Sequence, residues 1–134
     1  MLVYLCRHAK AAPGEPDELR PLTPEGRRQA RSLAERLAGE AAPPTLVLTS
    51  PLLRARQTAG AIARATGAEL RIETRLGPGA TVSDLRAAVG NGAFPVATVG
   101  HQPDCSEIAL ALTGGDPGFP PAGMAAIVLA DADA

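Results

Sequence analysis

The segment Met1-Leu2-Val3-Tyr4-Leu5-Cys6-Arg7-His8 decides the architecture of this chain. Its first six residues form an uncharged, largely apolar run of the length that is typical of a buried strand. The run ends at a guanidinium and an imidazole, and a loop containing prolines and a glycine follows. Open α/β sheets bind their ligands at the carboxyl ends of their strands. The segment therefore predicts a core strand that carries Arg7 and His8 into a functional site.

Two later apolar runs repeat this pattern. Residues 45–49 lead to Arg54, and residues 94–99 lead to His101. Because the carboxyl ends of parallel strands lie at the same edge of a sheet, the side chains that follow them are expected to meet. Arginines and histidines gathered at that edge predict a site for an anionic group.

Length and composition limit the class of protein. The 134 residues predict one domain over 1–134, and a chain of this size buries roughly two-thirds of its unfolded surface. With no Trp, one Tyr and two Phe, the core must be aliphatic. A net charge of −1, without a basic block or an aromatic platform, argues against a nucleic-acid partner.

The sequence also predicts a cytoplasmic location. No apolar run approaches the ~18 residues that a membrane span needs, so no membrane partner is expected. The chain begins with a strand-like segment and without a basic leader. Its two cysteines, Cys6 and Cys105, do not make a disulfide framework, which favours a reduced protein.

Strand-like and helix-like segments alternate along the chain, which is typical of βαβ units and a largely parallel sheet. Thr23-Pro24 predicts a helix start with Thr23 as N-cap, and Gly39 predicts its end. The apolar face of this helix is formed by Ala30, Leu33, Ala34 and Leu37. A second helix is predicted to open at Ser50-Pro51, with Ser50 as its cap.

The remaining segments complete a three-layer α/β/α sandwich around a mostly parallel sheet of about five strands. Leu70 and Ile72 are expected to face inward from the third strand, and the last strand is expected at an antiparallel edge. The predicted strands are Leu46–Thr49, Glu69–Glu73, the run before His101 and Met124–Ala130; the predicted later helices are about Ser83–Val89 and Asp104–Leu112.

The residue types fit a phosphoryl-transfer site. The transition state spreads negative charge over three oxygens, so cationic donors and positioning supply most of the catalysis. The planar guanidinium forks of Arg7 and Arg54 suit this charge, and a neutral histidine can act as a covalent nucleophile. The sequence contains no Gly-rich phosphate cradle and no Asp-rich metal cluster, which favours a metal-free covalent route without a cofactor.

Four motifs, in order, resemble those of the histidine phosphatase superfamily, also called the phosphoglycerate mutase-like superfamily. The resemblance implies that fold and a phosphatase activity. The compact length and Arg20-Pro21-Leu22-Thr23 further resemble the short bacterial phosphohistidine phosphatases, which act on a phosphorylated protein. The matching segments are Leu5-Cys6-Arg7-His8-Ala9, Leu22-Thr23-Pro24-Glu25-Gly26, Ser50-Pro51-Leu52-Leu53-Arg54-Ala55-Arg56-Gln57-Thr58 and Val99-Gly100-His101.

The resemblance implies a role for each matching residue. His8 would be the nucleophile, and Arg7 and Arg54 would bind the phosphoryl oxygens. His101, in its charged form, would donate to them from the other side. Substrate-binding roles are implied for Arg20 and for the amide of Gln102.

Two departures from the family pattern bear on the substrate. Ala9 replaces the glycine of Arg-His-Gly, which restricts the backbone dihedrals there. Residues 74–80 contain no acid where larger mutases and many acid phosphatases carry a proton donor, and the flanking Glu73 and Asp84 are insecure substitutes. A phosphorylated imidazole is a better leaving group than an alcohol, so the missing acid favours phosphohistidine over phosphoglycerate.

Three alternatives remain open from the sequence. A small phosphoester phosphatase or mutase-like enzyme would share the motifs, and a non-catalytic phospho-ligand-binding module would share the fold. A structural zinc site would draw on Cys6, His8, His101 and Cys105. Gly26 and Thr58 are interpreted as packing and turn residues.

Overall fold

Strands and helices alternate along the chain. The computed structural model describes residues 1–92 and 94–130. Two short 3₁₀ turns, Asp17–Leu19 and Thr74–Leu76, lie in the connections. The strands are β1 (Leu2–Arg7), β2 (Leu46–Thr49), β3 (Glu69–Ile72), β4 (Val96–Gly100) and β5 (Met124–Val128), and the helices are α1 (Pro24–Ala38), α2 (Leu53–Thr66), α3 (Val82–Val89) and α4 (Asp104–Thr113).

The strands form one sheet in the order β3-β2-β4-β1-β5. The β1–β4, β2–β4 and β2–β3 pairs are parallel, whereas β5 is antiparallel to β1 at one edge. The register aligns Cys6 and Thr49 with Val99, so β1, β2 and β4 end at the same level. The predicted mostly parallel sheet of five strands is confirmed.

Helices cover both faces of the sheet. One core layer joins α1 and α2 to alternate residues of the central strands, such as Tyr4 and Val47. The other core layer joins α3 and α4 to the strand residues that point to the opposite face, such as Val3 and Leu5. This alternation follows the two-residue period of a strand. The predicted three-layer α/β/α sandwich is confirmed.

Helix α1 begins and packs as the sequence predicts. The Thr23 side chain caps it by accepting from the Gly26 N–H at 2.9 Å, and Pro24 occupies its first position. A Cβ at Gly26 would overlap the carbonyl oxygen of Lys10, so this glycine lets the loop after β1 lie directly against the helix. The predicted apolar face is buried: Ala30, Leu33, Ala34 and Leu37.

Three details differ from the sequence-based expectation. Leu70 and Ile72 are 41% and 56% exposed, because β3 is an edge strand that the helical layers cover poorly. Helix α2 begins at Leu53 and not at Pro51, and its N-cap residue Leu52 provides no side-chain cap. The final strand ends at Val128, two residues before its predicted end at Ala130.

Among the described residues, every helix is too short or too polar to cross a membrane.

Candidate active site

Three strand ends bring the predicted residues together. His8 follows β1, His101 follows β4, and Arg54 lies in the first turn of α2, shortly after β2. The centroids of the two imidazole rings are 5.2 Å apart, with the ring planes inclined at 59°. The meeting of these residues at one sheet edge is therefore observed.

Backbone contacts hold His8 in one orientation. Its N–H donates to the Gly100 carbonyl at 3.1 Å, and its own carbonyl accepts from the Ala122 N–H at 3.1 Å. Nδ1 lies 2.6 Å from the Ala9 carbonyl oxygen. Because a carbonyl only accepts, Nδ1 carries the proton and Nε2 keeps its lone pair.

The surroundings keep His8 neutral. Burial lowers its pKa to about 4, and the positive charges of Arg54, Arg7 and Arg20 lower it further. The hydrogen bond to Ala9 raises the pKa but does not offset these effects. An unprotonated Nε2 is the form that a histidine nucleophile requires.

Thr58 connects the loop after His8 to helix α2. Its Oγ1 accepts from the Ala9 N–H at 3.0 Å and donates to the Arg54 carbonyl at 2.9 Å. Ala9 is buried and lies outside the left-handed region, so the alanine in place of the family's glycine causes no backbone strain there. Thr58 thus positions two site segments, a task beyond the packing role predicted for it.

Asp17 links two of the arginines. Arg54, which is 7% exposed, donates to the Asp17 carbonyl at 2.9 Å and to its carboxylate at 3.2 Å. Arg20 donates to the other carboxylate oxygen at 2.9 Å and to the Ala12 carbonyl at 2.7 Å. Hydrogen bonds from Arg20 and Arg54 lower the pKa of Asp17, so its carboxylate is ionised and holds both guanidiniums side by side.

The loop that leads into β5 holds the Arg7 side chain in place. Its Nη1 donates to the Phe119 carbonyl at 2.9 Å, and its Nε is buried without an acceptor among the described residues. A buried guanidinium N–H without a protein acceptor is a ready donor for an anionic ligand.

His101 departs from the expectation in its charge. It is 5% exposed, and its Nε2 is hydrogen-bonded to Ser50 Oγ at 2.7 Å. Burial lowers its pKa to about 4, and the charges of His8, Arg54 and Arg7 lower it further. The negative charge of Asp17 raises the pKa, but by less than these effects lower it. The ring is therefore neutral in the free protein, and the prediction of a charged His101 is wrong for that state.

Ser50 and Asp17 are the site residues that sequence reasoning missed. Ser50 was predicted to cap α2; its hydroxyl does accept from the Leu52 N–H at 3.3 Å, but the helix starts later and the shorter contact is with His101. Two signals existed: Ser50 directly follows a core strand, and Asp17 lies three residues before Arg20.

The Gln102 side chain is hydrogen-bonded to Ser106 in helix α4. It donates to Ser106 Oγ at 2.8 Å and accepts from the Ser106 N–H at 2.9 Å. Its backbone N–H, directly after His101, has no acceptor within the described part of the chain. The backbone N–H of Gln102, and not its side chain, is therefore available for the predicted substrate contact.

The carboxylates near the loop at residues 74–80 have structural tasks. Asp104 accepts from the Gly79 and Ala80 N–H groups at 2.8 and 3.2 Å and so holds the loop. Glu73 accepts from the Arg75 N–H, and Asp84 forms a capping box with Thr81. Neither flanking acid gains support as a proton donor.

The two cysteines of the zinc alternative pack on opposite faces of the sheet. Cys6 packs in the core layer under α1 and α2, whereas Cys105 packs in the layer on the other face of the sheet. Burial raises the pKa of both thiols, that of Cys105 to about 12, which disfavours thiolate ligands. Within residues 1–92 and 94–130, no group of three or more His, Cys, Asp or Glu side chains is arranged to hold a metal ion.

Comparison with known proteins identifies the family. Residues 3–77 match the model of the histidine phosphatase superfamily, branch 1, which is more than half of the chain. This chain belongs to that superfamily. The predicted resemblance is confirmed, and with it the assignment of the chain as a phosphatase.

Three relatives illustrate the similarity. The protein histidine phosphatase SixA, solved with tungstate, is 28% identical, with a TM-score of 0.86 over 96% of this chain and 88% of that one. A structure from Agrobacterium tumefaciens, assigned as a phosphohistidine phosphatase SixA, is 33% identical, with a TM-score of 0.80 over 93% and 88%. An uncharacterised protein of Picosynechococcus is 36% identical over 88% of this chain and 76% of its own length.

Proposed function

We propose that this phosphatase removes the phosphoryl group from phosphohistidine on a protein, without a metal, through a covalent intermediate on His8. The observation that carries the proposal is the environment of His8: a neutral ring whose Nδ1–H donates to the Ala9 carbonyl, among three arginines. An unprotonated Nε2 near cationic donors supports attack on a phosphoryl group that those donors bind.

The first step transfers the phosphoryl group to His8. The Nε2 lone pair attacks phosphorus, a P–N bond to His8 forms and the P–N bond of the substrate breaks. A substrate imidazole that is protonated on its other nitrogen leaves as a neutral ring, so the step needs no acid from the protein. This agrees with the absence of an acid from residues 74–80.

The second step returns His8 to its starting form. Water attacks phosphorus, the bond to Nε2 breaks and inorganic phosphate leaves as H2PO4⁻, which carries both protons of the water. The hydrogen bond from Nδ1 to the Ala9 carbonyl keeps that nitrogen protonated throughout, so the departing ring is already the neutral tautomer.

The surrounding donors stabilise the charge on the phosphoryl oxygens. Arg7 and Arg54 supply guanidinium forks, while Asp17 holds Arg54 beside Arg20. If the Ser50 hydroxyl donates to Nε2 of His101, the neutral ring carries its proton on Nδ1, where it can donate to the substrate. A bound dianion raises the pKa of His101 and so favours its charged form.

Relatives support the choice of substrate. The SixA neighbour is named a protein histidine phosphatase, and it binds tungstate, a tetrahedral oxyanion shaped like phosphate. A cytoplasmic setting fits the proposal, since the two cysteines are free thiols.

The test is quenched turnover of a phosphohistidine protein, with an aryl phosphate in parallel, both in EDTA. We expect wild type to release phosphate from phosphohistidine, and His8→Ala to release none. Arg54→Ala should lose about 10²–10³ in kcat, as removal of an oxyanion donor does. Arg71→Ala, which removes an exposed arginine paired with Glu69, is the matched control and should keep full activity.

Each alternative gives a different result. Turnover of the aryl phosphate alone would point to a small-ester phosphatase. Silence on both substrates, with binding of vanadate retained, would identify a non-catalytic phospho-ligand module. A His8→Ala variant with wild-type turnover would overturn the mechanism.

A further inference from the structure

We infer that the groove between α1 and α2 docks an acidic segment of the phosphoprotein substrate, an inference that rests on the proposed function. The groove has a volume of about 550 Å³. Its walls carry four arginines, Arg27 and Arg31 from α1 and Arg56 and Arg64 from α2. None of these residues belongs to the phosphoryl-binding group described above.

Helical spacing concentrates the charge on this groove. Arg27 and Arg31 are four residues apart on α1, and Arg56, Gly60 and Arg64 follow at the same interval on α2. Residues at this interval lie above one another on one helix face. A Cβ at Gly60 would lie 3.4 Å from Nη1 of Arg64, so the guanidinium rests close over a floor that the glycine keeps open.

The four guanidiniums have no partners of their own. Within the described residues, none of them forms an ion pair or a hydrogen bond, in contrast to Arg54 and Arg71. No acidic residue is among the described residues that line the groove, although the whole chain has a net charge of −1. Nε of Arg56 is also buried without an acceptor. The groove is therefore a local, uncompensated concentration of positive charge.

The groove is lined in part by chain neighbours of candidate active-site residues. Leu53, which lines it, directly precedes Arg54, and Leu22 lies at the end of the loop that carries Arg20. Gln57, also in the lining, accepts from the Leu22 N–H at 2.8 Å and fixes that loop to α2. A protein whose phosphohistidine reaches His8 can therefore place a neighbouring segment along the groove.

The chemistry of the groove favours an acidic peptide over other polyanions. Carboxylates suit the guanidinium fork, and the apolar floor of Leu22, Ala30 and Ala61 suits the methylenes of Glu side chains. Aromatic side chains, on which nucleic-acid bases stack, are absent from the described lining. A cleft between two helices also lacks the apolar outer face with which helices bind lipid surfaces.

The experiment compares two double variants. Arg56→Gln/Arg64→Gln removes half of the groove charge, while Arg28→Gln/Arg36→Gln removes the same charge from another face of α1, beside Glu25. The binding probe is a fluorescein-labelled octapeptide of Glu and Asp, followed by anisotropy. Two phosphohistidine peptides, with acidic or with Gly/Ser flanks, and an aryl phosphate report turnover.

We expect the groove variant alone to weaken octapeptide binding about tenfold. It should lower kcat/KM for the acidic phosphopeptide by a similar factor, and leave the neutral peptide and the aryl phosphate unchanged. Rising salt should reduce kcat/KM for the acidic peptide in wild type more steeply than in the groove variant.

Other outcomes overturn one inference or the other. Equal binding by wild type and groove variant, or equal losses in both double variants, would overturn the docking surface. Groove-dependent binding of a single-stranded oligonucleotide or of phosphatidylserine vesicles, without binding of the octapeptide, would overturn it in favour of that partner. If neither phosphopeptide turns over while octapeptide binding stays groove-dependent, the proposed function fails and the acidic-peptide surface is supported.

Discussion

At the scale of single residues, environment decides the chemistry of the two histidines. His101 is buried and His8 is half-buried at one sheet edge among arginines, and the pKa of each is lowered to about 4. The proposed role of His8 as a nucleophile requires this neutral form, which is also the resting form of His101. The same burial has a consequence for stability.

On acidification from pH 8 to pH 5, we expect each histidine to lower the free energy of unfolding by about 2 kcal/mol. In the unfolded chain these rings titrate near 6.5, whereas in the folded protein they titrate near 4. As pH falls through this window the unfolded state binds more protons, so stability is lost. The measurement is urea unfolding at both pH values for wild type, His8→Gln and His101→Gln.

Each single variant should lose about 2 kcal/mol less on acidification than wild type, whatever its stability at pH 8. Activity gives an independent check. Since kcat/KM reports the free enzyme, protonation of His8 should reduce aryl phosphate turnover only towards pH 4. An acid limb with an apparent pKa near 6.5 would contradict the lowered pKa.

At the scale of elements, close contacts between connections and helices fix the site. The loop after β1 lies against α1 at Gly26 and is bonded to α2 through Thr58. Both contacts position the backbone that follows His8. Each contact can be tested with a conservative single-residue substitution.

Gly26→Ala should destabilise the protein by about 1–3 kcal/mol, the usual cost of forcing extra volume into a packed contact. The new Cβ would overlap the Lys10 carbonyl, which is rigid backbone. Gly39→Ala is the matched control, because its Cβ would have ordinary contacts and its φ is −87°. Unfolding in urea should show a loss at Gly26 only; equal effects at both positions would contradict the contact.

Thr58→Val should lower stability by about 1–3 kcal/mol, since it leaves the buried Ala9 N–H without its acceptor. It should also reduce kcat/KM by displacing the loop that orients His8. Thr58→Ser keeps the hydroxyl and should retain wild-type kcat/KM, which separates positioning from packing. If Val and Ser variants have the same kcat/KM, the hydrogen bond has no role in positioning His8.

At the scale of the whole molecule, two core layers enclose the sheet and the thiols within it. Cys6 and Cys105 lie in different layers, and burial raises the pKa of both. We expect neither to react with dithionitrobenzoate in the native protein, and both to react at once after denaturation. Rapid modification of a native thiol would contradict the packing of its layer.

The sequence by itself determined the order of the elements and most of the family assignment. Strong local signals mark β1 and α1: an uncharged apolar run, a Thr-Pro helix start and an apolar stripe at helical spacing. The rule that ligands bind at the carboxyl ends of parallel strands then predicts that Arg7, His8, Arg54 and His101 lie together. These inferences depend only on neighbours along the chain and on a general property of α/β sheets.

Tertiary structure alone decided the contacts between distant residues and the protonation of the site. Asp17 and Arg54 are 37 positions apart, and Ser50 and His101 are 51 apart, so local pattern carries no sign of either pair. The exposure of Leu70 and Ile72 follows from the edge position of β3 in the sheet. The neutral form of His101 follows from burial and nearby charge, and both arise only when the chain is folded.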